Sequence, residues 1–593
     1  MSPLASLKGR TGLAAAGVLV VYLLSAARYP QFGDGLEFVA AAQSGGVPHP
    51  TGYPLLLLLL SLVPAGKSAY FLSTLLCSLF AAGAAWLAGL LAGRLLVPAP
   101  DAEPSVIAGV LERWLPLATV LLVGLSASLW SAATLVEAYA LNALLMAGLL
   151  YILVPRLDQP IGWKALAVAA LFQGLAASNH LTSLCLAPLL LWRLRQAHSA
   201  GKESPVRLGA ALLAGVAGLL PYLALPLRAA KDPSINWGGA DSWQGFWWLV
   251  GGGEYGQMQF LQLAPGMPMT GGQFVQFALA RLVQVLTDLG GQWIGGAPLP
   301  GLASAAMVVA LFSAGALGFL VMLLGVRELW RLSRSGCIAL GVAFDLQILF
   351  IFTYNIPDIG DYFLGLWMSA LPFFVLGWAF VLRAAARRLG YAVDPARAGR
   401  LVVLMGLVAL IALGANWKTA GRAGEVLAPV WLERLFDDLP QDALLLTSGD
   451  ADLYSVWYGQ LVEGKRPDVL VVGSNFLRFD WAAESLPTET PDEAGRVLRP
   501  EALVEPLRGP GEFAAYLDRT AIAPNIGRVP VVLSTGDGAL LRELASKYNL
   551  AVLEGKLLLS SEEITEAQLS GRVFLPPATA YVLELPSESA LHP

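Results

Sequence analysis

The sequence predicts an α-helical polytopic membrane protein with about eleven transmembrane helices and a C-terminal soluble α/β domain. Three observations carry this. Of the 593 residues, 56% are hydrophobic and only 14% charged, whereas a soluble domain is about a quarter charged. Apolar runs long enough to cross hydrocarbon as helices recur through the first 420 positions. Beyond about residue 420 charged residues become frequent and apolar runs shorten. The expected division is therefore a membrane part over 1–420 and a soluble part over 421–593.

Taken in order, Lys8 and Arg10 precede an apolar run from Leu13 to Leu24. With Ser25-Ala26-Ala27 behind it, the run has the outline of a signal peptide, but the many spans that follow favour a first transmembrane helix. Candidate spans run over 11–27, 68–93, 114–130, 138–155, 163–179, 180–192, 208–226, 301–325, 337–354, 362–382 and 400–417. The segment 55–63, LLLLLLSLV, is too short to cross at about 1.5 Å per residue and reads as a re-entrant or membrane-hugging helix. In the soluble part ALLLTS (443–448), VLVVGS (469–474) and VPVVLS (529–534) read as buried strands, with helical patterns between them such as Gly538–Tyr548. No internal repeat is evident.

Composition also excludes some functions. The net charge of −5 and the lack of a dense basic cluster give no footprint for nucleic acid. Cys77, Cys185 and Cys337 lie far apart in apolar segments, so they read as small buried hydrophobes, not as a disulfide framework or zinc site.

Lysine and arginine set the orientation. With the N-terminus inside, eleven crossings put Arg94, Arg113, Arg156, Lys164, the cations from Arg193 to Arg207, Arg327 to Arg334 and Arg383 to Arg388 on the cytoplasmic side. The other side receives Arg28, Lys67, Arg228 and Lys231 near the membrane. That side also holds the α/β domain and every polar cluster that invites chemistry.

The richest cluster is Gly33–Pro54, GDGLEFVAAAQSGGVPHPTGYP, directly after the first span. If Gly33–Ala42 is helical, Asp34 and Glu37 project from one face with Cβ atoms about 5–6 Å apart. Such a carboxylate can take a proton from a hydroxyl or hold a metal or sugar hydroxyl; a solvated helix start favoured by the macrodipole is the plainer alternative. His49-Pro50 and Gly52-Tyr53-Pro54 follow as turns. Glu137 sits at the edge of the fourth span, where an acid faces protein or water. Asn179-His180 joins two spans. Arg228 and Lys231 fit a lipid phosphate or ordinary interfacial anchoring. Asn236-Trp237 and the aromatics after them fit a membrane interface or a sugar-stacking wall. Asp358 and Asp361 lie at another exit, and Asp450 and Asp452 follow a strand in SGDAD (448–452).

These motifs together resemble one membrane-protein family. Its members typically read G-D-S-G-E-x-x-x-A and then G-[VI]-x-H-P-P-G-Y-P. WSAATLVEAYALNALL, SNHLTSL, LPLRAAKDPSINWG, YNIPDIGDYF and LLLTSGDADLYSVWY are similar to its later motifs. That family resembles the protein O-mannosyltransferases within the GT-C superfamily of lipid-linked-sugar glycosyltransferases. Here G-D-S-G-E becomes G-D-G-L-E, and Thr51 stands where the family often has Pro; neither change removes an acid.

The resemblance implies transfer of mannose or another hexose from a polyprenyl-phosphate donor to an acceptor protein or glycan, with inversion and with no cofactor or metal required. Asp34 is then the general base, and Glu37 supports it or exchanges roles with it. His49 and His180 position the donor phosphate or the acid, and Arg228 neutralises the phosphate. Tyr53, Glu137, Asn179, Asn236, Trp237, Asp358 and Asp361 are candidate acceptor- or sugar-binding residues. A bacterial inner membrane is the expected location. The rival classes are a transporter or flippase, which would carry mid-span charges and related halves, and a binding protein whose loop acids tolerate change.

Overall fold

The structure is a computed structural model that describes residues 3–96, 106–253, 255, 262–264, 267–294, 305–356, 358–388, 395–474, 476–479, 481, 492–500, 507, 510–556, 558–569 and 575–585. The start of the eighth expected span, 301–304, lies outside them, as does Gly256.

The chain opens with α1 (Pro3–Ser25), α2 (Asp34–Ser44), α3 (Pro54–Leu60), α4 (Ala69–Leu95), α5 (Val106–Gly124), α6 (Ala127–Thr134), α7 (Ala138–Leu153), α8 (Trp163–Ala177) and α9 (Ala187–Ser199). There follow α10 (Pro205–Ala217), α11 (Ala224–Ala229), α12 (Trp243–Val250), α13 (Gly271–Gly291), α14 (Ala305–Leu332), α15 (Arg334–Thr353), α16 (Phe363–Arg388), α17 (Pro395–Ala420), α18 (Leu427–Asp438) and α19 (Asp450–Leu461). Among the described residues seven helices are long and apolar enough to cross a membrane: α1, α4, α10 with α11, α14, α15, α16 and α17. The pair α5 and α6, bent by 58°, makes an eighth if it counts as one span.

Within the described residues every expected span contains helix, but three of the helices are short. α7, α8 and α9 have 16, 15 and 13 residues, or about 20–24 Å at 1.5 Å per residue, against about 30 Å of hydrocarbon. The expected span 180–192 is a 3₁₀ turn, Leu181–Leu186, leading into α9. The shortening has a local cause: α7 starts after Glu137, and α8 stops before Ser178-Asn179-His180. Ser178, Asn179 and His180 at the end of α8 are buried in protein. The sequence reading gave α13 no element, although Thr270 and Gln273 form a capping box at its start. It packs closely on α14, where a Cβ on Gly315 would sit 1.8 Å from the Leu286 carbonyl oxygen.

The C-terminal domain holds a mixed five-stranded sheet of β1 (Leu444–Thr447), β2 (Leu470–Gly473), β3 (Val531–Ser534), β4 (Asn549–Val552) and β5 (Ala580–Glu584). The spatial order is β2-β1-β3-β5-β4, with β1 parallel to β2 and β3, and β5 antiparallel to β3 and β4. The three strands expected from sequence form its parallel part. β1 is buried on both faces, as its unbroken apolar run requires: Leu444 and Leu446 pack with Leu540 and Leu544, Leu445 with Trp431 and Val456.

α19 links the two parts. Val456 faces the sheet, while Leu453, Tyr454, Trp457 and Tyr458 belong to the same apolar core as the membrane helices. Further clasps lie nearby: the Gln31 amide donates to the Glu425 carbonyl at 3.1 Å, the Arg422 backbone N–H donates to the Ser25 carbonyl at 2.7 Å, and Phe32 meets Trp431 edge-on.

Candidate active site

The Gly33–Pro54 loop folds as its small residues dictate. Gly33 precedes α2 with φ +123°, a region that favours glycine. Gly35 lies against the 136–137 segment, where a Cβ would come within 2.5 Å of the Val136 carbonyl oxygen. Gly45 ends α2 in the left-handed region at φ 76°. Val47 then pairs with Asn236 in a parallel bridge: its N–H donates to the Ile235 carbonyl at 2.7 Å, and its own carbonyl accepts from Trp237 at 3.3 Å. The Gly52 N–H closes a turn on the His49 carbonyl at 2.8 Å, and Pro54 opens α3. Asp34 and Glu37 are thus in the first turn of α2, at the end where the helix dipole favours negative charge, and His49 returns against them.

His49 sits between the two acids. Its Nδ1–H donates to Glu37 Oε2, and its backbone N–H donates to both Glu37 oxygens at 3.2 and 3.3 Å. Its Nε2 lies 3.5 Å from Asp34 Oδ2. The side chains of Glu37 and His49 are 0% and 4% exposed, and that of Asp34 is 37% exposed, so Asp34 is the member that reaches solvent. Burial opposes the imidazolium, but Glu37 and Asp34 outweigh it and lift His49 to about 9. Burial pushes the Glu37 carboxyl up against the opposing pull of His49.

Other acids converge on the same space. Burial raises Glu137 well above the carboxylate range, with the charges of Asp34, Asp361 and Asp358 adding to it. Burial and then Asp34 lift Asp358 to about 6. Asp34, Glu137 and Asp358 are partly exposed and Asp361 is exposed, and their charges bear on one another. Arg422, buried between α17 and α18, is the cation that senses Asp361 and Tyr70; burial lowers it to about 10, and its guanidinium donates to the Thr419 carbonyl at 2.8 Å and to Ser131 Oγ at 3.3 Å.

Aromatic rings join the rest. Tyr53 stands between the two histidines, 5.1 Å from the ring of His49 and 6.0 Å from that of His180. Tyr139 and Tyr362 complete a box around His180. Both Thr182 donors address His180 Nδ1, so the neutral ring carries its proton on Nε2, and burial keeps it neutral by lowering it to about 4. Trp237 touches His49 edge-on and packs on Phe476 at 4.6 Å. The Trp237 indole N–H, Asn236 Oδ1 and Asn179 Oδ1 are buried with no hydrogen-bond partner among the described residues, while the Asn179 amide donates to the Ala138 carbonyl at 3.0 Å.

Arg228 lies apart from this cluster. Its guanidinium caps the opposite end of α2, donating to the carbonyls of Ala41 and Gly46, each at 3.2 Å, and to Ser61 Oγ at 2.6 Å. Asp452 is a buried cap that accepts from Ser448 and Gly449 N–H groups at 3.1 and 3.0 Å, which makes SGDAD a structural turn at that residue. The sequence reading did not nominate Tyr139, Tyr362, Arg422 or Tyr454. A signal existed for Tyr454, which stands four residues after Asp450 and so shares its helical face.

Fold and site together define a polytopic membrane protein whose acidic, histidine-bearing cluster is flanked by its own α/β domain. Within that class, residues 34–201 match the Protein O-mannosyl-transferase TMEM260 N-terminal domain, and residues 432–494 match TMEM260-associated domain 2. The mouse Protein O-mannosyl-transferase TMEM260 is 27% identical over 492 residues, covering 79% of this chain and 62% of the mouse protein. The chain therefore spans a little under two thirds of that relative's length. GDGLEFVAAAQSGGVPHPTGYP (but for its first residue), WSAATLVEAYALNALL, SNHLTSL and LLLTSGDADLYSVWY lie within the matched segments; LPLRAAKDPSINWG and YNIPDIGDYF fall outside both. Among solved structures, ArnT from Cupriavidus metallidurans bound to undecaprenyl phosphate is similar with TM-score 0.48 and 13% identity, over 96% of this chain and 97% of that one. The apo oligosaccharyltransferase of Archaeoglobus fulgidus is similar with TM-score 0.47 and 12% identity, over 93% of this chain and 73% of that one.

Proposed function

We propose that this chain is a GT-C-type glycosyltransferase that moves mannose or another hexose from a polyprenyl-phosphate donor to an acceptor hydroxyl with inversion. The observation that carries the proposal is the trio of Asp34, His49 and Glu37, with one carboxylate open to solvent and the other committed to the imidazole. In this reading Asp34 accepts the acceptor's hydroxyl proton. The freed oxygen attacks the anomeric carbon from the face opposite the phosphate, and the carbon–oxygen bond to the phosphate breaks. The polyprenyl phosphate leaves with the bonding electrons. Glu37 holds the tautomer and direction of His49, and the imidazolium puts a positive charge beside the reacting groups. His180 offers a neutral Nε2–H. Arg228 is the weaker phosphate candidate, because its donors are engaged at the far end of α2. Asp358, Asp361 and Glu137 suit sugar hydroxyls, and Tyr53, Asn179, Asn236 and Trp237 are the remaining sugar or acceptor contacts. The donor is a co-substrate, and the reading needs no cofactor. The bias of lysine and arginine supports an acidic cluster and α/β domain that face away from the cytoplasm in a cell-envelope membrane.

The test is incubation of the purified chain in lipid nanodiscs with polyprenyl-phosphate mannose and a hydroxyl-bearing acceptor, read by mass spectrometry. Asp34→Asn should lose about 10²–10⁴-fold in transfer, the usual worth of a general base, with an unchanged melting curve. A purified Asp34→Asn variant with full transfer would remove Asp34 from the role of base.

A further inference from the structure

One element of the C-terminal domain, α19, reaches the trio. α19 begins at Asp450, and Tyr454 is on the same helical face. Tyr454 is 1% exposed, and its ring stacks on that of His49 with centroids 6.3 Å and planes 14° apart. Neighbours on α19 fix it there: Trp457 stacks on Tyr454 at 5.9 Å, and Tyr458 meets Tyr70 of α4 edge-on at 6.2 Å. Tyr454 and Tyr458 share one apolar core with Leu36, Phe38 and Val39 of α2. α19 is therefore packed along α2, and Tyr454 has no room to leave His49.

We propose that the C-terminal domain completes the active site, and that Tyr454 is a positioning residue whose ring holds His49 in line between Asp34 and Glu37. The inference rests on reading that trio as the transfer machinery, and it makes the membrane part alone an incomplete site. The side-chain bond from Nδ1 to Glu37 fixes one edge of the imidazole but leaves its plane free to tilt about that bond. Two rings restrict that freedom: Tyr454 lies near-parallel to the imidazole at 6.3 Å and 14°, and Phe38 lies tilted against it at 5.3 Å and 30°. An aromatic face beside a cation also favours the charged ring. The titratable groups that bear on His49 are Asp34 and Glu37 from α2, Asp450 from α19, Asp358 from the turn before α16, and the phenols of Tyr53, Tyr255 and Tyr454. Tyr454 is the group among them that arrives from the C-terminal domain with its ring stacked parallel to the imidazole.

The experiment uses the full chain in nanodiscs with ¹⁵N-labelled histidine. The chain has four histidines, and His49→Gln assigns the signal. His49 in the wild type should titrate near 9. Tyr454→Phe, which keeps the ring, should titrate with it. Tyr454→Leu, which keeps apolar volume without a π face, should titrate about one unit lower, and the basic limb of the pH–rate profile should move with it. Should leucine fail to pack, Tyr454→Met gives the same readout with a more adaptable side chain. A folded Tyr454→Leu or Tyr454→Met chain whose His49 titrates with the wild type would overturn the proposal, even if transfer is slower. The two readings fail separately. A wild type without transfer whose His49 still responds to Tyr454→Leu sinks the proposed function and keeps the positioning; active chains with an unmoved His49 do the reverse.

Discussion

Gly35→Ala tests whether the fit of α2 against residues 136–137 sets the position of Asp34. An added Cβ would lie 2.5 Å from the Val136 carbonyl oxygen, 3.0 Å from Val136 Cβ and 3.2 Å from the Tyr70 hydroxyl. The nearest of these is backbone and cannot rotate away, and it is about 0.9 Å short of an ordinary contact of 3.4 Å. α2 must therefore move off the segment by most of an ångström, and Asp34, the preceding residue, moves with it. Overpacking of this kind costs about 1–3 kcal/mol, and misplacing a reacting group by about 1 Å costs about 10²-fold in rate. The expected result is a lower melting temperature together with a loss of transfer near 10²-fold, read on the same purified protein. Gly17→Ala is the control, because nothing lies within 4 Å of a Cβ built there in α1; it should leave both readings unchanged. A Gly35→Ala chain with wild-type melting and wild-type transfer would refute the claim that this contact positions the acid.

Two further outcomes follow from the same geometry. Arg228→Ala removes the donors that serve Ala41, Gly46 and Ser61, so it should cost about 1.5–3 kcal/mol of stability while changing the donor KM little; a large rise in donor KM with unchanged melting would instead make Arg228 a phosphate ligand. A topology reporter fused after residue 430 should read on the non-cytoplasmic side; cytoplasmic labelling would break the orientation drawn from lysine and arginine.

The membrane class, the seven long apolar helices found among the described residues and the three parallel strands were legible because each rests on local pattern: apolar runs for the helices, short apolar runs of β-branched residues and leucine for the strands. The Gly33–Pro54 loop was equally legible, since its glycines and prolines announce turns whatever surrounds them. α13 was missed because its apolar residues are shared between a face packed on α14 and an exposed face, which gave no long apolar run.

Within the loop, the sequence by itself determined which residues are available: two acids three apart, a histidine twelve beyond Glu37, and the turns that let the chain double back. It could not divide the work between Asp34 and Glu37, because spacing places both on one helical face without saying which is covered. Tertiary structure made that distinction by burying Glu37 against His49 and leaving Asp34 open to solvent. It also turned Arg228 toward the end of α2, and brought Tyr454 to His49 and Arg422 to Tyr70 across more than 350 residues of chain. Contacts at such separations depend on how whole helices pack, and helical periodicity within one segment carries no record of its neighbour.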